Sequence, residues 1–178
     1  MSATKGTRCF VDSNVWLYAL IVAQNPAKTA TAHALLSINT PVVSTQVINE
    51  VCRNLIRKAR FSNDKIEQVI NSFYDNYHVV QVSRNILLTA TQLRKKYSVS
   101  FWDSLLVSAV LESGVSILYS EDMHHGLVVK GRLRIVNPFA PEVLRLVINV
   151  RVQDAFSGWQ TFMVCHPFFF MIVLPTSM

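Results

Sequence analysis

The chain has 178 residues, 51% of them hydrophobic, and a formal net charge of +6 at pH 7. This composition suits one globular domain with a substantial core and excludes an intrinsically disordered protein. The positive charge favours polyanionic partners such as nucleic acid, although a solvated basic surface without such a partner would have the same composition.

The positive charge is confined to the first 139 residues. They contain 15 Lys or Arg and 9 Asp or Glu, a balance of +6, whereas residues 140–178 contain two of each kind and are neutral. The cysteines are Cys9, Cys52 and Cys165, without a CxxC pair, so the sequence predicts neither a disulfide framework nor a zinc cluster and favours a reducing cytoplasm. Asp12 interrupts the first apolar run and no small-residue cleavage site follows, which argues against a secretory signal.

Short runs of β-branched and aromatic residues predict five strands, at 9–11, 41–43, 78–82, 115–119 and 133–136. Helical periodicity separates the first four strands, most clearly over 15–24, 27–37, 45–60, 64–76, 85–97 and 101–112, where Gly114 ends the last helix. This alternation predicts βαβ units, and therefore an α/β fold with a mostly parallel sheet.

Two segments beyond residue 139 have patterns of their own. Residues 143–152 alternate apolar and polar side chains, which predicts a half-buried strand. Residues 162–174 are strongly apolar, but Pro167 interrupts the run and it is shorter than the roughly 20 residues that a membrane-spanning helix needs. We expect no transmembrane helix there.

Four of the 11 acidic residues lie where the predicted fold would form a ligand site. Asp12 and Asp122 follow the first and fourth predicted strands, at the carboxyl edge of the sheet, where open α/β sheets bind ligands. Glu50 lies in the second turn of the helix after the second strand, on what we expect to be its buried stripe, and Asp103 opens the helix before the fourth strand. Right-handed crossovers place both helix starts near the same edge.

Carboxylates that converge at one edge repel one another and raise each other's pKa values unless cations neutralise them. Mg²⁺ and Mn²⁺ are hard ions that prefer such oxygen ligands. Taken singly, Asp103 is explained by the preference for acids at helix starts and Asp122 by a turn. Taken together with Asp12 and Glu50, they predict a shared metal site. A divalent ion there would activate water and stabilise the charge that develops on a phosphodiester, so the predicted reaction is phosphodiester hydrolysis.

Four stretches together resemble a PIN-domain ribonuclease, and specifically a VapC-type toxin of a bacterial toxin–antitoxin pair. They are DSNVWLYAL, INEVCRNLIRK, FWDSLLVSAVLESGVSILYSEDMHHG and IVNPF, and the resemblance covers about residues 8–139. It implies a PIN-like three-layer α/β/α fold with a central, mostly parallel five-stranded sheet. It also implies that one quartet of acids binds the metal and is catalytic: Asp12, Glu50, Asp103 and Asp122.

The same resemblance implies an activity and partners. The activity is Mg²⁺- or Mn²⁺-dependent, single-strand-specific endonucleolytic cleavage of RNA, with tRNA and ribosomal RNA among the targets. The partners are a cognate VapB-type antitoxin and a second copy of the chain in a homodimer. Asn14 and Ser120 would orient the acids or water. Such toxins commonly stop after the NPF sequence, so residues 1–139 are interpreted as the PIN domain and residues 140–178 as an extension foreign to the family.

Clusters of cations flank the predicted site. Arg53, Arg57 and Lys58 follow Glu50 on the same predicted helix, and Lys130 and Arg132 precede the last strand, beside Arg134. Another cluster, at 94–96, ends a further helix. All could track an RNA backbone, but cations also favour helix C-termini and protect edge strands without any RNA.

Other functions remain as alternatives. The main one is a PIN module that binds RNA or protein without cleaving it. A haloacid-dehalogenase-like phosphatase would need DxD, whereas Asp12 is followed by Ser13 and Asn14, and a phosphoryl-accepting receiver domain would need paired acids. His124 and His125 follow Asp122, but no spacing completes a tetrahedral zinc site, so we expect them in a solvent-exposed loop.

Overall fold

The computed structural model of the chain describes residues 6–21 and 25–144. Within them, the strands are β1 (Thr7–Val11), β2 (Asn39–Ser44), β3 (His78–Val80), β4 (Ile117–Tyr119), β5 (Val128–Val129) and β6 (Leu133–Val136). They form one sheet in the order β3-β2-β1-β4-β6-β5. All neighbouring strands pair in parallel except β5, which pairs antiparallel with β6.

The helices are α1 (Ser13–Leu20), α2 (Pro26–Ile38), α3 (Thr45–Ala59), α4 (Asn63–Asn76), α5 (Arg84–Tyr97) and α6 (Phe101–Ser113). Each begins after a residue whose side chain accepts a hydrogen bond from a backbone amide of the first turn: Asp12, Asn25, Ser44, Ser62, Ser83 and Ser100. Such caps satisfy amides that have no partner within the helix, so these polar residues determine where the helices start.

The direction of the crossovers distributes the helices over two faces of the sheet. The chain moves outward from β1 to β2 to β3 through α1 to α4, and then returns across the sheet to β4 through α5 and α6. Because right-handed crossovers in opposite directions lie on opposite faces, α1 to α4 cover one face and α5 and α6 the other. Packing agrees, since α1 contacts α2 and α3, α3 contacts α4, and α5 packs along α6.

The core is deepest along β1 and α6. Cys9, Phe10 and Val11 of β1 are fully buried, and every residue of α6 from Ser104 to Leu111 is buried. A helix that is buried on all sides is held between other elements, here β2 and α5. This packing fixes the start of α6 at the carboxyl edge of the sheet.

The predicted α/β fold is confirmed, with five parallel strands at the expected places. The sheet has a sixth strand that the sequence did not predict, because β5 has only two residues and pairs with β6 through a turn in which Lys130 and Gly131 have positive φ angles. The first predicted helix was too long, since α1 ends at Leu20; residues 22–24 lie outside the described part of the chain.

The structure corrects the start of the strand predicted at 143–152. Residues 141–144 form a single helical turn, in which the amides of Val143 and Leu144 donate to the carbonyl of Ala140 at 3.0 Å each. Pro141 favours this turn because its fixed φ suits the first helical position. The remainder of that segment, and the apolar segment 162–174, lie outside the described residues. Among the residues that are described, no helix is long and apolar enough to cross a membrane.

Candidate active site

Asp12 lies at the junction of β1, β4 and α1. Its amide donates to the carbonyl of Tyr119 at 3.0 Å, which continues the pairing of β1 with β4 beyond the last strand residue. Its carboxylate accepts two hydrogen bonds, to Oδ1 from the Ser13 amide at 2.6 Å and to Oδ2 from the Ser120 hydroxyl at 2.7 Å. The carboxylate is therefore fixed in one orientation between two strands and a helix.

Burial gives this carboxylate unusual electrostatics. The pKa of Asp12 is raised from 3.8 to about 6, chiefly because burial disfavours its charged form. The hydrogen bonds from Ser120 and Ser13 lower the pKa but only in part, whereas the negative charges of Glu50 and Asp122 raise it further. Three of the four predicted acids thus share one electrostatic environment, centred on Asp12.

Asp122 belongs to the same junction. It is exposed in the loop after β4, and its Oδ2 accepts a hydrogen bond from Nδ2 of Asn14, in the first turn of α1, at 2.6 Å. Ser120, two residues earlier, is fully buried. Two side-chain hydrogen bonds therefore connect the end of β4 to the beginning of α1, one inside the protein and one at its surface.

Glu50 lies on α3 and Asp103 on α6, and of these two only Glu50 is among the charges that raise the pKa of Asp12. Glu50 is exposed, so its predicted place on the buried stripe of α3 was wrong; Val47 and Val51 are buried, and Glu50 lies on the flank of that stripe. From this position on the exposed flank of α3, the negative charge of Glu50 raises the pKa of Asp12. Asp103 is partly buried in the first turn of α6, where its amide donates to the hydroxyl of Ser100 at 3.0 Å.

Gln46 links the starts of α3 and α6, although it belongs to no motif in the sequence. Its Nε2 donates to the carbonyl of Trp102 at 3.1 Å, next to Asp103, and it lies one helical turn before Glu50. Its Oε1 is buried and has no hydrogen-bond partner among the described residues. The spacing of four residues between Gln46 and Glu50 is the signal that could have placed both side chains on one face.

The donor set fits a hydrated divalent cation. Within the described residues, no three His, Cys, Asp or Glu side chains lie close enough together to hold a metal ion as they stand. Mg²⁺, however, is commonly bound by one or two carboxylates and retains several waters. Such an ion would be held by the carboxylates whose charges interact here, those of Asp12, Glu50 and Asp122.

Lys28 holds the loop that carries Asp122. From α2 it forms a salt bridge with Glu121, between Ser120 and Asp122, and it also donates to the hydroxyl of Tyr18 at 3.0 Å. Its ammonium lies over the ring of Tyr18, 4.7 Å from the centroid, and over that of Phe139, 5.2 Å away. No local pattern in the sequence indicates this role of Lys28, because the contact joins residues 93 positions apart.

His125 lies in an exposed loop, as expected, and connects that loop to a later segment of the chain. Its Nδ1 accepts a hydrogen bond from the Asn137 amide at 2.9 Å, and its Nε2 lies 3.2 Å from a carboxylate oxygen of Glu142. These contacts tie the loop after Asp122 to the segment that follows β6.

The predicted cationic residues are exposed, in two separate places. Arg53, Arg57 and Lys58 lie along α3, which runs away from the carboxyl edge of the sheet. Lys130 and Arg132 lie in the β5–β6 turn, where one guanidinium nitrogen of Arg132 donates to the carbonyl of Leu111 at 3.1 Å.

Comparison with known proteins yields one family match and several structural neighbours. The model of the PIN domain family matches residues 9–128, more than half of the chain. No curated protein sequence matches. The structure of VapC20 from Mycobacterium tuberculosis, described as a toxin that cleaves the sarcin-ricin loop, is 19% identical with a TM-score of 0.54, over 64% of this chain and 89% of that one.

Two further neighbours are complexes. A toxin–antitoxin complex from Klebsiella pneumoniae is 14% identical with a TM-score of 0.54. VapBC2 from Rickettsia felis, bound to a DNA fragment from its promoter, is 14% identical with a TM-score of 0.53. Both matches cover 74% of this chain and 98% of the other. At such identities the likeness establishes the fold.

Replacement of Asp12 by Asn should stabilise the metal-free protein at pH 7.5. Because the folded pKa lies above the unfolded one, the ionised carboxylate destabilises the fold once the pH exceeds about 4, and fully above about 6. Asp12→Asn removes that cost, which is at most about 3 kcal/mol, and the difference should vanish near pH 3. Urea denaturation in the presence of chelator measures it. Equal stability of both proteins at pH 7.5 would contradict the raised pKa.

Lys28 should stabilise the Asp122 loop through its salt bridge. Lys28→Met leaves Glu121 without its partner and should cost about 1 kcal/mol. If Asp122 helps to hold a divalent cation, Lys28→Met should also reduce the rise in melting temperature expected on addition of Mn²⁺, because the loop of Asp122 loses its support. Lys28→Arg keeps the charge and should restore both properties in thermal denaturation with and without Mn²⁺. If Lys28→Met and Lys28→Arg respond to Mn²⁺ equally, Lys28 has no positioning role.

Proposed function

The chain belongs to the PIN domain family, and on that premise we propose that it is a metal-dependent, single-strand-specific RNA endonuclease that hydrolyses phosphodiester bonds. The observation that carries the proposal is the environment of Asp12. Its carboxylate is partly buried and hydrogen-bonded by Ser120, and it lies within the electrostatic reach of Glu50 and Asp122. Such mutual repulsion is costly in a purely structural site and is relieved by a divalent cation.

We assign the metal and the catalytic role to Asp12, Glu50, Asp103 and Asp122. Mg²⁺ or Mn²⁺, when bound, would supply Lewis-acid stabilisation of the charge that develops on the phosphate and would lower the pKa of an attacking water. Ser120 and the Ser13 amide hold the Asp12 carboxylate in one orientation. Asn14 orients Asp122 in the same way at the surface. The exposure of Glu50 and Asp122 leaves this edge of the sheet open to a polymeric substrate.

The biological role that we propose is that of a VapC-type toxin in a type II toxin–antitoxin pair. The structural neighbours include toxin–antitoxin complexes, one of them bound to promoter DNA. A VapB-type antitoxin would inhibit the nuclease, the protein would act in the cytoplasm, and two copies would form a homodimer. Light scattering on the purified chain measures the last point, and a monomeric mass would refute it.

Residues 1–139 are proposed as the PIN domain and residues 140–178 as an extension that the nuclease does not require. The described core is complete by Ile135, and Phe139 packs on Tyr18 with 5.1 Å between the ring centroids. A chain that ends after Ala140 keeps this core and the packing of Phe139, so it should remain folded and should cleave RNA at the rate of the full chain. Circular dichroism and RNA cleavage test this, and loss of the folded state on truncation would overturn it.

Metal-dependent RNA cleavage is the decisive expectation for the proposed function. The full chain incubated with single-stranded RNA should cleave it with Mg²⁺ or Mn²⁺ and not with chelator. Asp12→Asn should lower the rate at least a hundredfold, since it removes the carboxylate around which the other acids are arranged. Asp75→Asn, an exposed acid near the end of α4, is the matched control and should cleave as the wild type does.

The same experiment distinguishes the nuclease from the second candidate, a PIN module that binds RNA or protein without cleaving it. If neither the wild type nor Asp12→Asn cleaves RNA while the wild type still binds it, the binding module is correct and the nuclease is not. If both proteins cleave equally, the activity does not reside at Asp12, and the assignment of the metal site is wrong.

A further inference from the structure

Two segments of the chain carry cations without any acid. No Asp or Glu occurs between Asp75 and Asp103 or between Asp122 and Glu142. The first segment carries Arg84 and the cluster 94–96, and the second carries three cations at 130, 132 and 134, so seven of the 17 Lys and Arg residues lie in these segments. The sequence does not show whether they meet in space.

The fold joins the two segments. The Tyr97 hydroxyl, at the end of α5, accepts a hydrogen bond from the Lys130 amide at 3.1 Å, in the β5–β6 turn. Beneath it, Leu93 and Tyr97 of α5 and Val129 of β5 line one small apolar cavity of about 10 Å³, so these elements are closely packed. The end of α5 and the β5–β6 turn therefore form one surface, with Arg94, Lys95, Lys96 and Lys130, which we call the basic ridge.

The ridge has an open depression with the chemistry of a phosphate site. Its volume is about 410 Å³, and its lining consists of Thr91, Arg94, Lys95, Ser98 and Val99. The lining thus combines two cations and the hydroxyl of Ser98 with a single apolar side chain and no carboxylate, whereas the Thr91 hydroxyl donates to the carbonyl of Leu88 at 2.7 Å. Cations and hydroxyl donors are the groups that proteins use on phosphate oxygens.

The charges of the ridge are available to a ligand. All four side chains are exposed, and in the described part of the chain none of them forms a salt bridge with a carboxylate. Lys96 lies over the ring of Tyr97, 5.5 Å from its centroid, a contact that leaves its charge uncompensated. Concentrated like charge without counterions destabilises a protein slightly and attracts polyanions.

The ridge adjoins the proposed catalytic edge. Residues 98–100 lead directly from Tyr97 into α6, whose first turn carries Asp103. Met123, which follows Asp122, lines the same apolar cavity as Tyr97. The loops that present Asp103 and Asp122 are thus both attached to the element that carries the ridge.

We propose that the basic ridge binds the phosphodiester backbone of the RNA strand on its way to the acidic edge. This inference rests on the nuclease function proposed above and adds the path of the substrate. The depression lacks the apolar anchors that a protein partner would need, whereas its flexible, exposed cations suit the repeated charges of a single strand. The contacts are with phosphates, so single-stranded DNA of the same length should also bind.

The test compares two triple variants of the full chain that lose the same charge. The ridge variant is Arg94→Gln, Lys95→Gln and Lys130→Gln. The control variant is Arg8→Gln, Lys65→Gln and Arg84→Gln, three exposed cations outside the ridge. Fluorescence anisotropy with a labelled single-stranded RNA, in chelator so that no cleavage occurs, should show binding at least about tenfold weaker for the ridge variant. For the ridge variant, the slope of the logarithm of affinity against the logarithm of salt concentration should become less steep by about 2. The control should stay within about twofold of the wild type.

The possible results separate failure of the ridge proposal from failure of the proposed nuclease function. If the wild type binds and cleaves RNA and the ridge variant binds as the control does, the ridge proposal is wrong and the nuclease stands. If the wild type binds no RNA, both fall. If the ridge variant loses binding to a poly-glutamate peptide but keeps RNA binding, the ridge serves an acidic protein instead. Should the triple variant fail to fold, Lys95→Gln and Lys130→Gln are measured singly, and each should weaken RNA binding about threefold.

Discussion

The pairing of β1 with β4 is the constraint on which the rest of the structure depends. These strands are neighbours in the middle of the sheet, although the residues that meet at their ends are 108 positions apart in the chain. The pairing continues through the Asp12 amide and brings the Ser120 hydroxyl onto the Asp12 carboxylate. Helices α1, α3 and α6 begin at the carboxyl edge of the sheet, which becomes the place where polar groups collect.

The charges of the protein are separated rather than mixed. Burial and two neighbouring acids raise the pKa of Asp12, whereas the cations at the end of α5 and in the β5–β6 turn have no acidic neighbours in sequence. Both arrangements cost stability when they are considered alone. In the proposed nuclease the two arrangements complement each other, because the negative edge would hold a divalent cation and the positive ridge beside it would bind a polyanion.

Lys28 and Gln46 support the elements that carry the acidic residues, although neither side chain is acidic. Lys28 uses Glu121 and the rings of Tyr18 and Phe139 to hold the segment before Asp122. Gln46 joins the first turns of α3 and α6 and so sets the distance between the elements that carry Glu50 and Asp103. Neither residue belongs to a motif, since each acts through a contact that is distant in sequence, and a pattern within one element cannot report such a contact.

The sequence by itself determined the family, the order of the elements and the acidic positions. The alternating strand and helix patterns and the contexts of Asp12, Glu50, Asp103 and Asp122 are local signals, and the PIN resemblance is confirmed. Only the tertiary structure decided that Glu50 is exposed, that β5 exists, and that the ends of α5 and of the β5–β6 turn form one basic surface. The reason is physical, because local sequence patterns indicate only which face of an element is apolar. How the elements pack against one another decides whether a flanking residue is buried, whether a two-residue strand pairs, and whether charges distant in sequence meet.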